Sequence, residues 1–230
     1  MKSIFIAGTD TGVGKTMVSA LLLNFLRGQG IHAGYQKWVS TGDADSAADL
    51  DFCRRTAGPE EEPAPLEFQS PYRFAFPASP HFAAEREGRA IEVGKILSAY
   101  EEMAFRYQCL LVEGVGGVLV PLRRDLLLAD LLAGMQLPVL VVARTGLGTL
   151  NHTFLTLEAL RARRIEILGV VFSDGQEAAD EKIAADNLKT VAEIGRVKVF
   201  GRLPRCLTPA ELKREFQPIG QAFFKNFKEA

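Results

Sequence analysis

Residues 4–16 read IFIAGTDTGVGKT, and this stretch decides the fold. Its first four residues are apolar, which predicts a buried strand over residues 4–7. We assign the next nine residues, 8–16, to the phosphate-binding P-loop pattern Gly-x-x-x-x-Gly-Lys-Ser/Thr. Its glycines let backbone N–H groups approach phosphate oxygens, and the following helix, predicted over residues 14–27, adds a favourable dipole. A strand, this loop and a helix in that order predict a nucleotide site.

The side chains that complete such a site come from the loop and from a second strand. Lys15 is expected to reach the β- and γ-phosphates, and the Thr16 hydroxyl to coordinate Mg²⁺. A P-loop also needs an acidic residue for the metal, and Glu113 closes the apolar stretch LLVE at residues 110–113. Asp49 is a further acidic candidate, which the residues alone do not separate from Asp43, Asp45 and Asp51.

Short apolar stretches alternate with amphipathic ones along the whole chain. The alternation predicts one α/β domain over residues 1–230, a mostly parallel β-sheet flanked by helices in the P-loop NTPase manner. Beyond residues 4–7, the predicted strands are 33–37, 109–113, 138–143, 165–172 and 197–200. Beyond residues 14–27, the predicted helices are 46–56, 91–107, 151–163, 180–194 and one that begins over 209–216.

One segment interrupts the alternation. Residues 59–80 contain six prolines and few helix signals, so we predict no element interior there. Either the segment is a plain surface excursion or it is a loop over a site, and the residues favour neither.

Composition excludes several classes of protein. The 230 residues carry 27 Lys and Arg against 28 Asp and Glu, a formal net charge of −1, which disfavours a nucleic-acid groove. No apolar stretch reaches the roughly 18 residues of a membrane span, and the four apolar residues near the start are too few for a signal peptide. Cys53, Cys109 and Cys206 are widely spaced without a metal pattern, which is typical of reduced thiols in the cytoplasm.

A second lysine ends the predicted strand 33–37. Lys37 stands in the stretch GYQKWVSTG at residues 34–42. Ligands gather at the carboxyl ends of parallel strands, so Lys37 would share an edge of the sheet with the P-loop. There it could stabilise charge on a transferring phosphoryl group.

Five segments together carry a family resemblance. Residues 8–16, 34–42, 71–81, 111–122 and 138–152 resemble, in order and spacing, the dethiobiotin synthetase family. The resemblance runs from residue 2 to about residue 204. It implies an ATP-dependent, Mg²⁺-dependent cyclo-ligase that closes a ring on 7,8-diaminononanoate with CO₂, through an N-carbamate and a carbamic–phosphoric anhydride. It also implies a homodimer and small-molecule substrates only, with no nucleic acid and no membrane partner.

The same resemblance implies roles for individual residues. Lys37, Lys15 and Thr41 match the residues at the reacting carbamate and phosphate. The metal residues would be Thr16, Asp49 and Glu113. The nucleotide would contact Thr11, Gly12, Val13, Gly14, Lys15, Thr16, Ser173 and Pro204. The diamine substrate would contact Thr41, Gly116, Gly117 and Asn151.

Three positions depart from the family pattern. Trp38 stands where the family has proline after the lysine, and core packing is the favoured interpretation of it. Gly12 replaces an acid that some members carry. Ser173 replaces an asparagine that contacts adenine, so the bidentate hydrogen bonding of an amide is lost and strict preference for ATP is put in question.

Three alternatives stay open at this point. The first is a related P-loop ATP-dependent amidoligase on another cofactor precursor, which would need a partner subunit or a glutamine amidotransferase domain that this chain is too short to hold. The second is a non-catalytic nucleotide-binding regulatory domain, against which Lys37 and Glu113 argue. The third is a ParA-like switch, which would carry an extra lysine early in its P-loop; residues 8–14 contain none.

Overall fold

Ten strands and nine helices make up the parts of the chain that the computed structural model describes, residues 2–42, 48–58, 62–174, 180–205 and 208–229. The strands are β1 (Lys2–Gly8), β2 (Ala33–Lys37), β3 (Val39–Thr41), β4 (Tyr72–Phe74), β5 (Cys109–Gly117), β6 (Pro121–Arg123), β7 (Leu126–Leu127), β8 (Val139–Arg144), β9 (Ile167–Ser173) and β10 (Val199–Leu203). The helices are α1 (Lys15–Gly28), α2 (Ala48–Ala57), α3 (Leu66–Gln69), α4 (Pro80–Arg86), α5 (Val93–Arg106), α6 (Leu128–Met135), α7 (Thr149–Ala162), α8 (Glu181–Gly195) and α9 (Pro209–Glu229).

Six parallel strands form the central sheet in the order β10-β9-β8-β1-β5-β2. All six were predicted, within a few residues at their ends, and the α/β fold class is confirmed. The inner strands are almost wholly apolar because helices cover both faces of the sheet.

Two apolar clusters lie on the two faces. In β1, Phe5 and Ala7 point into one cluster while Ile4 and Ile6 point into the other, as the two-residue period of a strand requires. The first cluster includes side chains of α4, α5 and α6, and the second includes side chains of α1, α2 and α9. The sheet is therefore covered on both sides, and its carboxyl edge stays available for a site.

The proline-rich segment is more ordered than predicted. Residues 62–80 include α3, β4 and the start of α4, so the expectation of no element there is wrong. The prolines stand at boundaries: Pro65 precedes α3, Pro71 precedes β4, and Pro80 opens α4. Such positions tolerate a residue without an N–H group, so the prolines delimit short elements instead of excluding them. Residues 59–61, and Pro59 with them, lie outside the described part of the chain.

Several other elements escaped prediction. Strands β3, β6 and β7 have two or three residues each, too few to show a period, and α6 is apolar on nearly every side. The last helix, α9, extends past Phe216 to Glu229 and contains Pro218.

Two expectations from composition concern the cysteines and the membrane, and the described residues bear on both. Cys53 and Cys109 are buried free thiols, and Cys206 lies outside the described residues. Within the described ranges, no helix combines the length and the apolar character needed to cross a bilayer.

Candidate active site

The loop between β1 and α1 has the backbone of a phosphate cradle. Gly12 and Gly14 have φ values of +72° and +97°, in the left-handed region that favours glycine. The loop is one residue longer than the pattern to which we assigned it, since five residues separate Gly8 from Gly14. The Lys15 Nζ donates to the carbonyl oxygen of Asp10 at 2.9 Å, inside the loop. The lysine is thus folded back over the phosphate position.

Four side chains meet beside this loop. Lys37 Nζ lies 2.5 Å from Glu113 Oε1 and 2.9 Å from Asp49 Oδ2. The Thr16 hydroxyl lies 2.9 Å from Glu113 Oε1 and 3.0 Å from Asp49 Oδ1, and its single proton bonds one of them at a time. We call Thr16, Lys37, Asp49 and Glu113 the lysine–carboxylate cluster. The structure therefore brings together the three predicted metal residues and the second lysine.

Two residues in this region were not predicted from the sequence. Ser19 Oγ and the Tyr35 hydroxyl each donate to Glu113 Oε2 at 2.9 Å. The signal was spacing: Ser19 follows Thr16 by three residues on one helix face, and Tyr35 precedes Lys37 by two on one face of β2. Both stand in stretches that read as core, so neither suggested chemistry.

Burial and charge shift the lysine pKa values in opposite directions. Burial, reinforced by the nearby Lys37 charge, lowers the pKa of Lys15 to about 8. For Lys37 burial also disfavours the charged form, but the Glu113 and Asp49 carboxylates outweigh it and the pKa lies above its ordinary value. Burial, and the adjacent Glu113 carboxylate, raise the pKa of Tyr35, so it remains a neutral donor.

A cavity of about 430 Å³ opens over the cluster. Its lining residues are Thr11, Gly12, Gly14, Lys15, Thr16, Met17, Lys37, Val39, Ser40, Thr41, Ala48, Asp49, Glu113, Val115 and Gly116. Most of the predicted site residues line it, and Ser40, Val115 and Met17 join them without having been predicted.

Five predicted residues stand outside this lining. Val13 is buried in the core, and Gly117 pairs with Gly8 in the sheet. Asn151 is exposed in the first turn of α7, and Pro204 follows β10. Ser173, at the end of β9, contacts the P-loop closely: a Cβ on Gly14 would lie 2.7 Å from its Oγ.

The segment after Lys37 is held by the proline-rich segment. Strand β3, which ends at Thr41, pairs in parallel with β4, and the amide of Gly42 donates to the carbonyl of Phe74 at 2.9 Å. Trp38 is 1% exposed and lies 5.0 Å from the Phe5 ring, centroid to centroid, which confirms core packing. Its Nε1 donates to Gln36 Oε1 at 3.0 Å. The proline-rich segment thus positions Thr41 through the pairing of β3 with β4.

The three histidines take no part in the cavity lining. His32 packs on Tyr107, with 4.9 Å between ring centroids. His152 Nδ1 lies 3.7 Å from Asp10 Oδ2, which places the start of α7 next to the P-loop.

A second charged cluster lies at the ends of β8, β9 and β10. Arg202 forms two hydrogen bonds with the buried Asp174 carboxylate, at 2.7 and 2.8 Å, and a third with Glu181 at 2.7 Å. Asp174 also accepts from the Thr145 hydroxyl at 2.7 Å. Burial raises the pKa of Asp174, but Arg202 and Thr145 outweigh it and hold that pKa below its ordinary value. We call Thr145, Asp174, Glu181 and Arg202 the Asp174 cluster.

The donor set of the lysine–carboxylate cluster fits a magnesium ion. Mg²⁺ prefers hard oxygen ligands and commonly takes one or two carboxylates together with substrate phosphates. Thr16, Asp49 and Glu113 offer one hydroxyl and two carboxylates within hydrogen-bond distance of one another. Across the described residues no group of three or more His, Cys, Asp or Glu side chains forms a metal site. A magnesium ion here would therefore need further oxygens, such as those of substrate phosphates.

Sequence comparisons place the chain among named relatives. A family model described as an AAA domain matches residues 2–208. A protein of Anaeromyxobacter sp. strain Fw109-5, named ATP-dependent dethiobiotin synthetase, is 42% identical over 93% of this chain and 95% of its own. Proteins of the same name from Novosphingobium aromaticivorans and Methanococcus vannielii are 41% and 38% identical. These matches cover 99% and 86% of this chain and 98% and 91% of the relatives.

Comparison with solved structures bears on the fold alone. The cell-division protein MinD of Aquifex aeolicus superposes with a TM-score of 0.56 at 13% identity, covering 100% of this chain and 96% of its own. A ParA-family ATPase of Chlorobium tepidum gives a TM-score of 0.53 at 13% identity, covering 100% and 94%. The P-loop NTPase architecture is thereby confirmed.

Proposed function

The chain belongs to the dethiobiotin synthetase family, and we propose that it uses ATP to carboxylate 7,8-diaminononanoate with CO₂ and to close the ring of dethiobiotin. One observation of the structure carries the proposal beyond nucleotide binding. A second lysine, Lys37, lies with Asp49 and Glu113 beside the P-loop. A purely regulatory nucleotide-binding domain has no need of a second lysine at the phosphates.

The P-loop binds the triphosphate of ATP. Backbone N–H groups of residues 11–16 surround the phosphates, and Lys15 exchanges the Asp10 carbonyl for a phosphate oxygen. Contact with phosphate favours the charged form of Lys15, which the protein alone holds with a pKa of about 8. The nucleotide base extends toward Ser173 and Pro204, at the ends of β9 and β10.

The reaction then proceeds in three steps at the cavity. An amine of the substrate attacks CO₂ and loses a proton, forming a carbamate. A carbamate oxygen attacks the γ-phosphorus and ADP leaves. The second amine attacks the carbamoyl carbon and loses a proton, and phosphate leaves as the ring closes. Lys37 and Lys15 stabilise the negative charge that builds on the transferring oxygens, and Thr41 donates a hydrogen bond to the carbamate.

Thr16, Asp49 and Glu113 would hold a Mg²⁺ ion. Bound there, the ion would supply positive charge that offsets the negative charge of the transferring phosphoryl group. Gly116, which lines the cavity, would offer a further backbone donor to the substrate, and Gly117 follows it in β5.

We further infer a cytoplasmic homodimer in which each chain is one domain. Asn151 contacts the diamine, although it is exposed in this chain, because α7 lies at the interface between subunits. Two exposed leucines support this placement: Leu147 is 81% exposed before α7, and Leu155 is 54% exposed on it. Light scattering should give the dimer mass for the wild-type protein, whereas Leu155→Glu should give a monomer. A wild-type monomer at micromolar concentration would contradict the dimer.

The proposed activity is tested by omission. Purified protein is incubated with ATP, Mg²⁺, 7,8-diaminononanoate and ¹⁴C-bicarbonate, and both phosphate release and labelled dethiobiotin are followed. We expect both products in equal amounts, and neither when the diamine is left out. Phosphate release that ignores the diamine would overturn the proposal.

A further inference from the structure

The two oxygens of the Glu113 carboxylate have different hydrogen-bond partners. Its side chain is fully buried, and four polar groups contact it. Oε2 accepts from Ser19 and Tyr35, each at 2.9 Å, while Oε1 faces Thr16 at 2.9 Å and Lys37 at 2.5 Å. A carboxylate has room for about four such partners, so its capacity is filled.

The donors on Oε2 do not belong to the cavity. Ser19 and Tyr35 are buried, and neither lines the 430 Å³ space, whereas Thr16 and Lys37 both do. Ser19 belongs to α1 and Tyr35 to β2, so two packed elements fix the Oε2 side. Both partners of Oε1 line the cavity, so Oε1 is the oxygen we place on the cavity side.

A metal ion that binds Glu113 from the cavity must therefore take Oε1. Mg²⁺ lies about 2.0–2.1 Å from its ligand oxygens. Lys37 Nζ already holds that oxygen, and two cations on one oxygen repel each other strongly where water is excluded. Rotation of the carboxylate to offer Oε2 would break both bonds from Ser19 and Tyr35.

We propose that Ser19 and Tyr35 are positioning residues that present a single oxygen of Glu113 to the cavity, where Lys37 and the metal ion exchange. Without metal, Lys37 holds the place of the cation between Asp49 and Glu113. Metal binding displaces the ammonium group and directs it into the cavity, toward the transferring oxygens. This inference rests on the proposed use of Mg²⁺.

The positioning role is tested by metal affinity. Mn²⁺ binding is measured by electron paramagnetic resonance, with and without ADP, so that no turnover is needed. Tyr35→Phe should weaken Mn²⁺ binding about tenfold, the usual effect of removing a group that orients a metal ligand. Ser19→Ala is the smaller change for the same oxygen and should weaken it several-fold.

A matched tyrosine separates positioning from packing. The buried Tyr72 hydroxyl accepts from the amide of Glu92 at 2.8 Å, away from Glu113. Tyr72→Phe should lower the melting temperature as much as Tyr35→Phe does, yet leave Mn²⁺ affinity within about twofold. If Tyr35→Phe and Ser19→Ala also stay within twofold, the positioning role is refuted.

The exchange is tested on Lys37 itself. Lys37→Met keeps the length of the side chain but removes the competing charge, and should tighten Mn²⁺ binding about tenfold or more. In the wild-type protein, acetylation of Lys37 followed by mass spectrometry should accelerate at least several-fold when saturating Mg²⁺ is added. Unchanged affinity in Lys37→Met, or a Lys37 equally protected with and without metal, would overturn the exchange. Dethiobiotin formation by the wild-type protein is a separate measurement and can succeed while these fail.

Discussion

Two charged clusters lie at the same edge of the same sheet, and they are built differently. The Asp174 cluster, at the ends of β8–β10, pairs one buried carboxylate with one arginine through two parallel hydrogen bonds. The lysine–carboxylate cluster, at the end of β2 and midway along β5, joins Lys37 to two carboxylates through single contacts and lies under a cavity. A bidentate arginine pair fixes one geometry, whereas a lysine is a point charge that can change partners.

The difference separates charges that hold the fold from charges that are available for chemistry. Asp174 is bound by three residues, since the amide of Arg205 and the Thr145 hydroxyl donate to it as well as the Arg202 guanidinium. Asp49, by contrast, keeps 35% of its side chain exposed to the cavity side. Substitutions in the lysine–carboxylate cluster should therefore change the reaction, and substitutions in the Asp174 cluster should change stability.

The largest effect is expected at Lys37. Lys37→Ala should lower kcat about a thousandfold, or about 4 kcal/mol in the barrier, because a buried cation at the transferring oxygens is lost. Affinity for ATP should change less than about threefold, since Lys15 and the loop amides remain. Steady-state kinetics and calorimetry measure the two quantities. Lys189→Ala, an exposed lysine on α8, is the control and should match the wild-type protein. Unchanged turnover in Lys37→Ala would remove Lys37 from the site.

The second-largest effect is a loss of stability, expected at Asp174. Asp174→Asn leaves the Arg202 guanidinium with only the exposed Glu181 carboxylate, and breaking the buried pair should cost about 3 kcal/mol of unfolding free energy. Urea unfolding followed by circular dichroism measures it. Asp130→Asn, which breaks the exposed pair with Arg163, is the matched control and should cost less than about 1 kcal/mol. Equal losses in the two variants would mean that the Asp174 cluster is not a structural centre.

The same pair predicts a pH dependence. The pKa of Asp174 is depressed in the folded protein below the ordinary value of 3.8. Its contribution to stability is therefore fully present above pH 3.8 and is lost as pH falls through the folded pKa. The difference in unfolding free energy between wild type and Asp174→Asn should be constant from pH 5 to 8 and shrink below about pH 4. A difference that stays constant to pH 3 would show that Asp174 does not titrate with a depressed pKa in the folded protein.

A smaller effect on stability is expected at Trp38, the buried residue that follows Lys37. Trp38→Phe keeps an aromatic ring against Phe5 but removes the Nε1 donor, which leaves the buried Gln36 carbonyl oxygen without that bond. We expect a loss of about 1–2 kcal/mol in unfolding free energy. Circular dichroism is the appropriate probe, because the variant has no tryptophan. A stability equal to that of wild type would show that the Trp38–Gln36 bond contributes nothing.

The smallest effect on stability is expected at Glu181, the exposed member of the Asp174 cluster. The Glu181 side chain is 84% exposed where it meets Arg202. Glu181→Gln should change stability by less than about 0.5 kcal/mol, as surface ion pairs contribute little. A loss near that of Asp174→Asn would erase the distinction between the buried and exposed contacts of Arg202.

The sequence predicted the parts of the molecule that have local signals. Glu113 was predicted because it closes an apolar strand, and Lys15 because the loop around it has a pattern. Asp49 needed the family resemblance, since the residues alone did not separate it from Asp43, Asp45 and Asp51. In the structure Asp49 faces Lys37 and Asp51 pairs with Arg54, while Asp43 and Asp45 lie outside the described residues.

Other features had no local signal at all. Tyr35 and Ser19 are uncharged residues in buried stretches and become informative only through contact with Glu113. Asp174 and Arg202 are 28 residues apart and meet only because β9 and β10 are neighbours. The short elements of the proline-rich segment are fixed by tertiary contacts, such as the pairing of β3 with β4.

A crystal structure of this protein with Mg²⁺ and a non-hydrolysable ATP analogue tests the exchange at Lys37 most directly. We expect a metal ion bound to Thr16, Asp49 and Glu113 Oε1. We also expect Lys37 Nζ to lie beyond hydrogen-bond distance from Glu113 Oε1, about 3.5 Å or more away, and to point to the γ-phosphate. A Lys37 still bonded to Glu113 Oε1 with metal and nucleotide in place would contradict the exchange.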